Sequence, residues 1–425
     1  MLSVLTNSWA LLLGMLLLML GNGLHGTLLG VRGEIESFST FEMSIIMSAY
    51  FAGFLVASRF VPDMIRRVGH VRVFAALGSL VSAVLIIFPL LTNPIVWIVG
   101  RAIIGFCFCG VYVTAESWLN NAASNENRGK ALSLYMIVQM AGIVAGQGLL
   151  LLADPGGYVL FIVVSILVSV SFAPILLSIS PTPAFERTNP MSLKKLVESS
   201  PLGCVGMFLL GGVFSVQFGM GAVFGSEAGL TLPQISIFVA SFYVGAMLLQ
   251  YPIGWFSDRM DRRVLIAIVS TIGAASALGG AVAWSNFGLL VAVAFLIGGM
   301  ANPLYSLLIA HTNDFLDFDD MVAASGGLLF INGVGAISGP IVVGWVLSSV
   351  GPAGFFIVIM TLMVLLSTYA LYRMTQRPTV AVEETGSFTA VAPNASPIAV
   401  EIAQEYAKDL AIEEENAEAV DKVSR

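Results

Sequence analysis

Charge is what this 425-residue chain has least of: 11% of its residues are Asp, Glu, Lys or Arg, against 57% hydrophobic ones. A soluble domain carries about 25% charged residues, so a water-soluble fold is excluded. Histidine is scarce too, with three in all, at positions 25, 70 and 311 in separate stretches. No Ser/His/Asp grouping, paired-carboxylate site or metal-ligand cluster emerges, which speaks against an enzyme and gives no reason to expect a metal or other cofactor. No glycine loop ends in Gly-Lys-Ser/Thr, so ATP is not the expected energy source. Nothing points to nucleic acid. Cys107, Cys109 and Cys204 all lie in apolar stretches and read as small buried residues rather than redox or metal groups. Met1 to Val31 hold no charge. The positive start of a cleaved leader is therefore missing, and Trp9–Gly30 reads as a retained first span.

What the chain has is length in apolar runs. Twelve stretches, near 9–30, 41–61, 73–92, 95–119, 131–153, 157–179, 201–225, 235–256, 264–284, 287–310, 322–347 and 353–374, match the roughly 20 residues a helix needs to cross a bilayer. In hydrocarbon a backbone must satisfy its own polar groups, so these spans are expected to be helices. Of the 19 Lys and Arg residues, 17 fall in every second gap or after the last span, and only Arg32 and Arg101 break the rule. Cations mark cytoplasmic connections, which predicts a multi-pass protein of a bacterial inner membrane, in contact with lipid, with both termini in the cytoplasm. The acidic cluster Asp314, Asp317, Asp319 and Asp320 has no cation nearby in sequence, and acidic residues count little for topology.

The spacing divides the chain into a first six-helix bundle (1–179), a linker (180–200), a second bundle (201–377) and a tail (378–425). The tail holds ten acidic and three basic residues, so it carries the whole net charge of -7. From Ser396-Pro397 it reads like a helix start. Ile398, Ile402, Tyr406 and Leu410 then recur every four residues, with Glu401, Glu405 and Asp409 between them. A short amphipathic helix and a disordered tail are both compatible with this composition, and an acidic face should be repelled by an anionic leaflet.

The two halves are related. Tyr50, Phe51 and Gly53 fall 192 residues before Phe242, Tyr243 and Gly245, while Gly105, Tyr112, Asn120, Gly142 and Gly146 fall 193 before Gly298, Tyr305, Asn313, Gly335 and Gly339. A near-constant offset across four helices points to two six-helix repeats, an all-α membrane fold of twelve helices in two pseudo-symmetric bundles.

The gap between spans eight and nine reads Gly254-Trp-Phe-Ser-Asp258-Arg259-Met-Asp261-Arg262-Arg263. This resembles the loop signature G-x-x-x-D-R-x-G-R-R of the major facilitator superfamily, with Asp261 where glycine is usual. The first-half copy, from Pro62 to Arg72, keeps Arg67 and Gly69 but has Pro62 for glycine and Arg66 for aspartate. Arg101-Ala-Ile-Ile-Gly105 in span four is similar to the superfamily's R-x-x-x-G element. Glu116-Ser117 and Asn127-Arg128-Gly129 look like a sparsely characterised bacterial branch. The resemblance implies a secondary active transporter working by alternating access, with spans one, four, seven and ten around a central cavity. It also implies that Asp258, Arg259 and Arg263 help latch the inner gate; a plain topology signal would explain the arginines but not the placement of Asp258.

Within the spans, Arg101 is a charge at a depth that costs about 2.5–3.5 kcal/mol on insertion scales, so it should face a cavity or a partner. Gly105, Phe108, Tyr112 and Glu116 share its helix face. Glu116 lies near the inner end and is expected to act at the gate, against Arg66, Arg67 or Arg128. Asn22 and His25 lie one turn apart in span one, and His25 is either a proton carrier or a packing residue. Gln217, Asn302 and Tyr305 either hydrogen-bond the solute or a neighbouring helix. His311 is expected at the membrane interface. The leading expectation is a monomer moving a small organic solute, with a weak organic anion as the first guess from Arg101, together with protons. Missing from span one is the acidic residue many proton-coupled relatives place there. The alternatives are a proton-driven exporter of amphipathic drugs or metabolites, and a membrane sensor that signals through the tail.

Overall fold

The computed structural model describes residues 2–122, 128–177, 191–378, 385–386, 388–393, 396, 398–403 and 405–406. Twelve of its helices are long and apolar enough to cross a membrane. The first six are α1 (Leu2–Ile35), α2 (Thr40–Val68), α3 (His70–Leu90), α4 (Pro94–Ala122), α5 (Arg128–Leu149) and α6 (Val159–Leu177). A short helix α7 (Leu193–Ser199) follows in the linker, which was not foreseen from sequence; its N-cap Ser192 accepts from the Lys195 backbone N–H. The second six are α8 (Pro201–Glu227), α9 (Leu232–Ser257), α10 (Arg262–Ala283), α11 (Phe287–Asn313), α12 (Phe318–Val350) and α13 (Ala353–Met374). The fold is all-α, two pseudo-symmetric bundles of six. Several helices outrun their apolar cores. α2 continues past Pro62 to Val68 and presents Arg66 and Arg67 in its last turn, because a helix keeps its backbone bonds made after the membrane ends.

The offset between halves has a physical counterpart. A Cβ placed on Gly105 would overlap the carbonyl of Tyr50, and one on Gly53 the carbonyl of Ala102, so α2 and α4 touch backbone to backbone. In the second half, Gly298 meets the carbonyl of Phe242 and Gly245 that of Phe295, bringing α9 and α11 together in the same way. Gly142 on α5 lies against α1 at Leu16 and Met19, and its counterpart Gly335 on α12 lies against α8 at Phe208. Lipid tails are as apolar as leucine, so close van der Waals approach at small residues is what holds such helices together.

The chain turns alternately on two faces. The linker face carries the Gly69 turn between α2 and α3, the helix α7 and the 258–261 loop. The far face carries the turns that include Gly229 and Gly351, whose positive φ of 69° and 81° favours a residue without a side chain. On the far face the bundles meet directly. Gly30 of α1 packs on Ala222 of α8, and Gly344 of α12 on Ser44 of α2. Ser48 donates to the Ile337 carbonyl, Ser236 to the Gln147 carbonyl and Thr40 to Glu227.

Candidate functional site: a central cavity and its mouth

Between the bundles, at mid-depth, lies a cavity of ≈ 150 Å³. α4 places Arg101 and Tyr112 on its wall, α1 places Asn22, and α11 places Asn302. These are the sequence candidates that the fold brings together. The Arg101 guanidinium sits 4.7 Å over the Tyr50 ring, a cation–π contact. It is 5% exposed and its Nε has no hydrogen-bond partner among the described residues. The described residues lining the cavity include no Asp or Glu. The other cation outside the alternate gaps, Arg32, is paired: Glu36 lies 2.6 Å from it and the Pro155 carbonyl accepts a further bond. A buried charge without a counterion is costly, and none of the described residues lining the cavity gives Arg101 a carboxylate partner.

His25, Gln217 and Tyr305 do not line this cavity. His25 is buried with its ring 5.3 Å from that of Phe88, and neither ring nitrogen has a described partner. Gln217 and the Tyr305 hydroxyl are likewise buried without one. His311 lies in the last turn of α11 at the linker face and is buried there, with its ring edge-on to Phe315 at 5.0 Å.

Sequence reasoning missed Gln139, Gln147, Tyr50 and Asn332, all on the cavity wall. Gln147 joins α5 to α1, accepting from Thr27 at 2.7 Å and donating to the Gly23 carbonyl at 3.0 Å. The repeat offset was a usable signal: Gln139 lies 193 residues before Asn332, the same spacing as the glycines, and both carry polar amides to the cavity. Aromatic side chains supply the apolar wall, with Phe218 stacked on Tyr243 at 4.5 Å.

The gating candidates lie at the linker face. Arg262 emerges as the central cation there. It is buried, paired with Asp314 at the end of α11, and donates to the Ala310 and Gly386 carbonyls. The acidic cluster near α12 therefore does have cations in space, since Lys195 also pairs with Asp320 at 2.6 Å. Burial pushes the Asp314 carboxyl up to about 6 against the opposing pull of Arg262. Arg263 is bidentate on Asp261 and reaches the Arg377 carbonyl. Arg259 stacks over Trp255 at 4.2 Å, and Arg67 is exposed. Asp258 lies 3.9 Å from Arg262 and accepts the Phe388 backbone N–H at 2.7 Å. None of these described pairs reaches the first bundle. The Arg128 side chain and residues 178–190 lie outside the described part.

Glu116 is fully buried, and its described partners are not the loop arginines expected from sequence: Arg66 pairs with Asp63. Its carboxylate accepts from the Tyr135 hydroxyl at 3.3 Å, from the Ser396 hydroxyl and from the Ala399 backbone N–H at 3.2 Å. The last two belong to the tail, which is helical at 398–403. Leu410 and Asp409 lie beyond the described residues.

Comparison with known proteins agrees with this architecture. The profile of the Major Facilitator Superfamily matches residues 11–231 and 202–401. The chain is 25% identical over 336 residues to the uncharacterized MFS-type transporter YcaD of Escherichia coli strain 536, and 23% identical over 334 residues to that of Salmonella typhi. Each alignment covers 78% of this chain and 86% of the relative. Among solved structures, the nucleoside transporter NupG superposes with a TM-score of 0.71 at 14% identity, over 87% of this chain and 100% of that one. A bacterial homologue of the human lysosomal transporter Spinster, in an inward-facing and unoccupied conformation, gives 0.66 at 13% identity, over 96% and 98%. At such identities the structural likeness speaks to the fold alone.

Proposed function

Because this chain belongs to the major facilitator superfamily and is a membrane transporter rather than an enzyme, we propose that it moves a small organic anion across the cytoplasmic membrane by alternating access. The observation that carries this reading is Arg101, a buried cation on the wall of a cavity whose described lining holds no carboxylate. An anionic group would meet the guanidinium as a charge-assisted pair. Amides from both bundles, Gln139 and Asn332 among them, are placed to bond its polar groups, and the aromatic wall suits an organic body. The excess of cations puts the linker face and both termini in the cytoplasm, with the bundles 1–179 and 201–377 rocking about the cavity. The direct packing at the far face then corresponds to an inward-facing state. One chain holds both bundles, so a monomer is complete. A proton is proposed to accompany the anion, which limits the net charge moved; His25, buried one turn from Asn22, is the candidate carrier.

Purified protein is to be screened by thermal shift against aliphatic and aromatic monocarboxylates and the corresponding neutral amides, since a ligand that binds the folded state raises its melting temperature. Acids are expected to stabilise where amides do not, and Arg101→Ala, inserted normally, is expected to lose the response. Equal shifts from acids and amides, or a full response in Arg101→Ala, would overturn the anion reading.

A further inference from the structure

The inner mouth of the cavity is occupied by the chain itself. Residues 388–393 cross it without helix or strand and 398–403 close it with a helical turn. The tail is held from both bundles. On the second, Asp258 accepts from Phe388 N–H, whose ring lies against Gly254. Ser306 of α11 accepts from Val391 N–H at 2.9 Å and donates to the Val391 carbonyl at 3.2 Å, while Gln250 of α9 donates to Ser306 at 3.1 Å. On the first bundle, Glu116 takes the Ser396 hydroxyl and the Ala399 N–H, and the Tyr406 ring lies on Gly129 of α5. Ala392 is buried among Met136, Met140 and Ala246, which come from both bundles. Ala392 and Pro393 form part of the cavity wall.

These contacts are specific in kind. Glu116 and Ser306 are buried polar groups on two transmembrane helices, and the tail supplies most of their described bonds. Leaving such groups unpaired in a membrane interior is costly, so the mouth is built to hold a peptide backbone. The tail's apolar side chains are packed in: Val391, Ala399, Val400 and Ile402 are nearly inaccessible and Ile398 is partly buried.

We propose that the mouth framed by Glu116, Ser306 and Asp258 is a peptide-binding site whose occupant is the chain's own tail, and that the seated tail is a plug which must leave before solute passes to the cytoplasmic face. The proposal rests on the transporter reading above, since a plug has meaning only on a pathway. The tail's placement also explains why the loop carboxylate Asp258 faces the tail instead of the first bundle.

The test reads access to the cavity, and needs no knowledge of the solute. A chain with its three cysteines replaced by alanine carries Ser58→Cys, a position on the cavity wall, in vesicles with the linker face outward. Labelling by a membrane-impermeant maleimide is compared for the full chain, a chain ending at Arg377, and the full chain with Glu116→Gln or Ser396→Ala. The truncated chain is expected to label at least about tenfold faster, the point variants in between. A synthetic peptide of residues 386–406 at about 1 mM, comparable with the effective concentration of a short tether, should restore protection. Equal rates in all four proteins, or a peptide without effect, would overturn the plug. A second reporter, Ser48→Cys at the sealed far face, labelled in vesicles of the opposite orientation, separates the two readings. If the truncated chain labels at both positions at once, alternating access falls and the plug stands. If truncation exposes only Ser48→Cys, the tail is a wedge that holds the inward-facing state, and the plug is overturned.

Discussion

The two faces of the molecule are closed by different means. At the far face, helix meets helix: Gly30 on Ala222 and Gly344 on Ser44 bring the bundles within van der Waals distance, with Ser48 and Ser236 adding bonds to opposing carbonyls. At the linker face the bundles are bridged by a segment that belongs to neither, through Glu116, Ser306 and Asp258. The first seal consists of surfaces that can only part by moving whole helices. The second can be withdrawn while every helix stays in place. Small residues make a seal by shape, and a tethered peptide makes one largely by hydrogen bonds.

The comparison breaks first at Gly344. A valine there would overlap Ser44, and the bundles must separate to accept it. Gly344→Val is expected to raise far-face labelling of Ser48→Cys by about tenfold or more, the scale of a population shift beyond 1 kcal/mol; unchanged labelling would mean that the far seal does not depend on close approach.

Next in size is Arg262→Gln. Removing one partner of a buried ion pair costs roughly 3–5 kcal/mol, so a large fall in melting temperature is expected, together with loosening of the tail at Gly386. Its pH dependence is a sharper test. Burial raises the folded pKa of Asp314 from 3.8 to about 6. A carboxyl raised on folding contributes stability fully below its unfolded pKa and loses it as pH rises through the folded value. Without Arg262 the raised value moves higher still. The variant is therefore expected to lose less stability relative to the parent at pH 5 than at pH 8. A constant difference across that range would show that Asp314 does not sense Arg262.

The smallest effect is expected at Lys195→Ala. Its pair with Asp320 is largely exposed, and such pairs are worth about 0–1 kcal/mol. Melting temperature and tail-gated labelling should both be nearly unchanged, which separates the polar contacts that hold the tail from those that merely decorate the same face.

Much of the architecture was legible in the chain. The spans follow from apolar runs, and the pairing of α2 with α4 and of α9 with α11 was written in glycines at offsets of 192 and 193. Arg101, Asn22, Tyr112 and Asn302 were legible as cavity residues because polarity inside a span needs a reason. His25, Gln217 and Tyr305 carry the same signal, yet they are not among the residues lining the cavity. Helical spacing gives a face only to within a turn, and the bend and rotation of each helix decide the rest.

What the amino-acid order determined by itself is everything that bilayer thickness and local periodicity can enforce: twelve helices, their alternation between faces, and two related halves. The tertiary structure alone decided that Glu116 meets Ser396, 280 residues away, and that Arg262 rather than Arg259 holds Asp314. Contacts of that separation leave no local pattern, because they arise from the meeting of two independently formed surfaces. The energy of a buried hydrogen bond depends on who arrives, and nothing in the neighbouring residues records it.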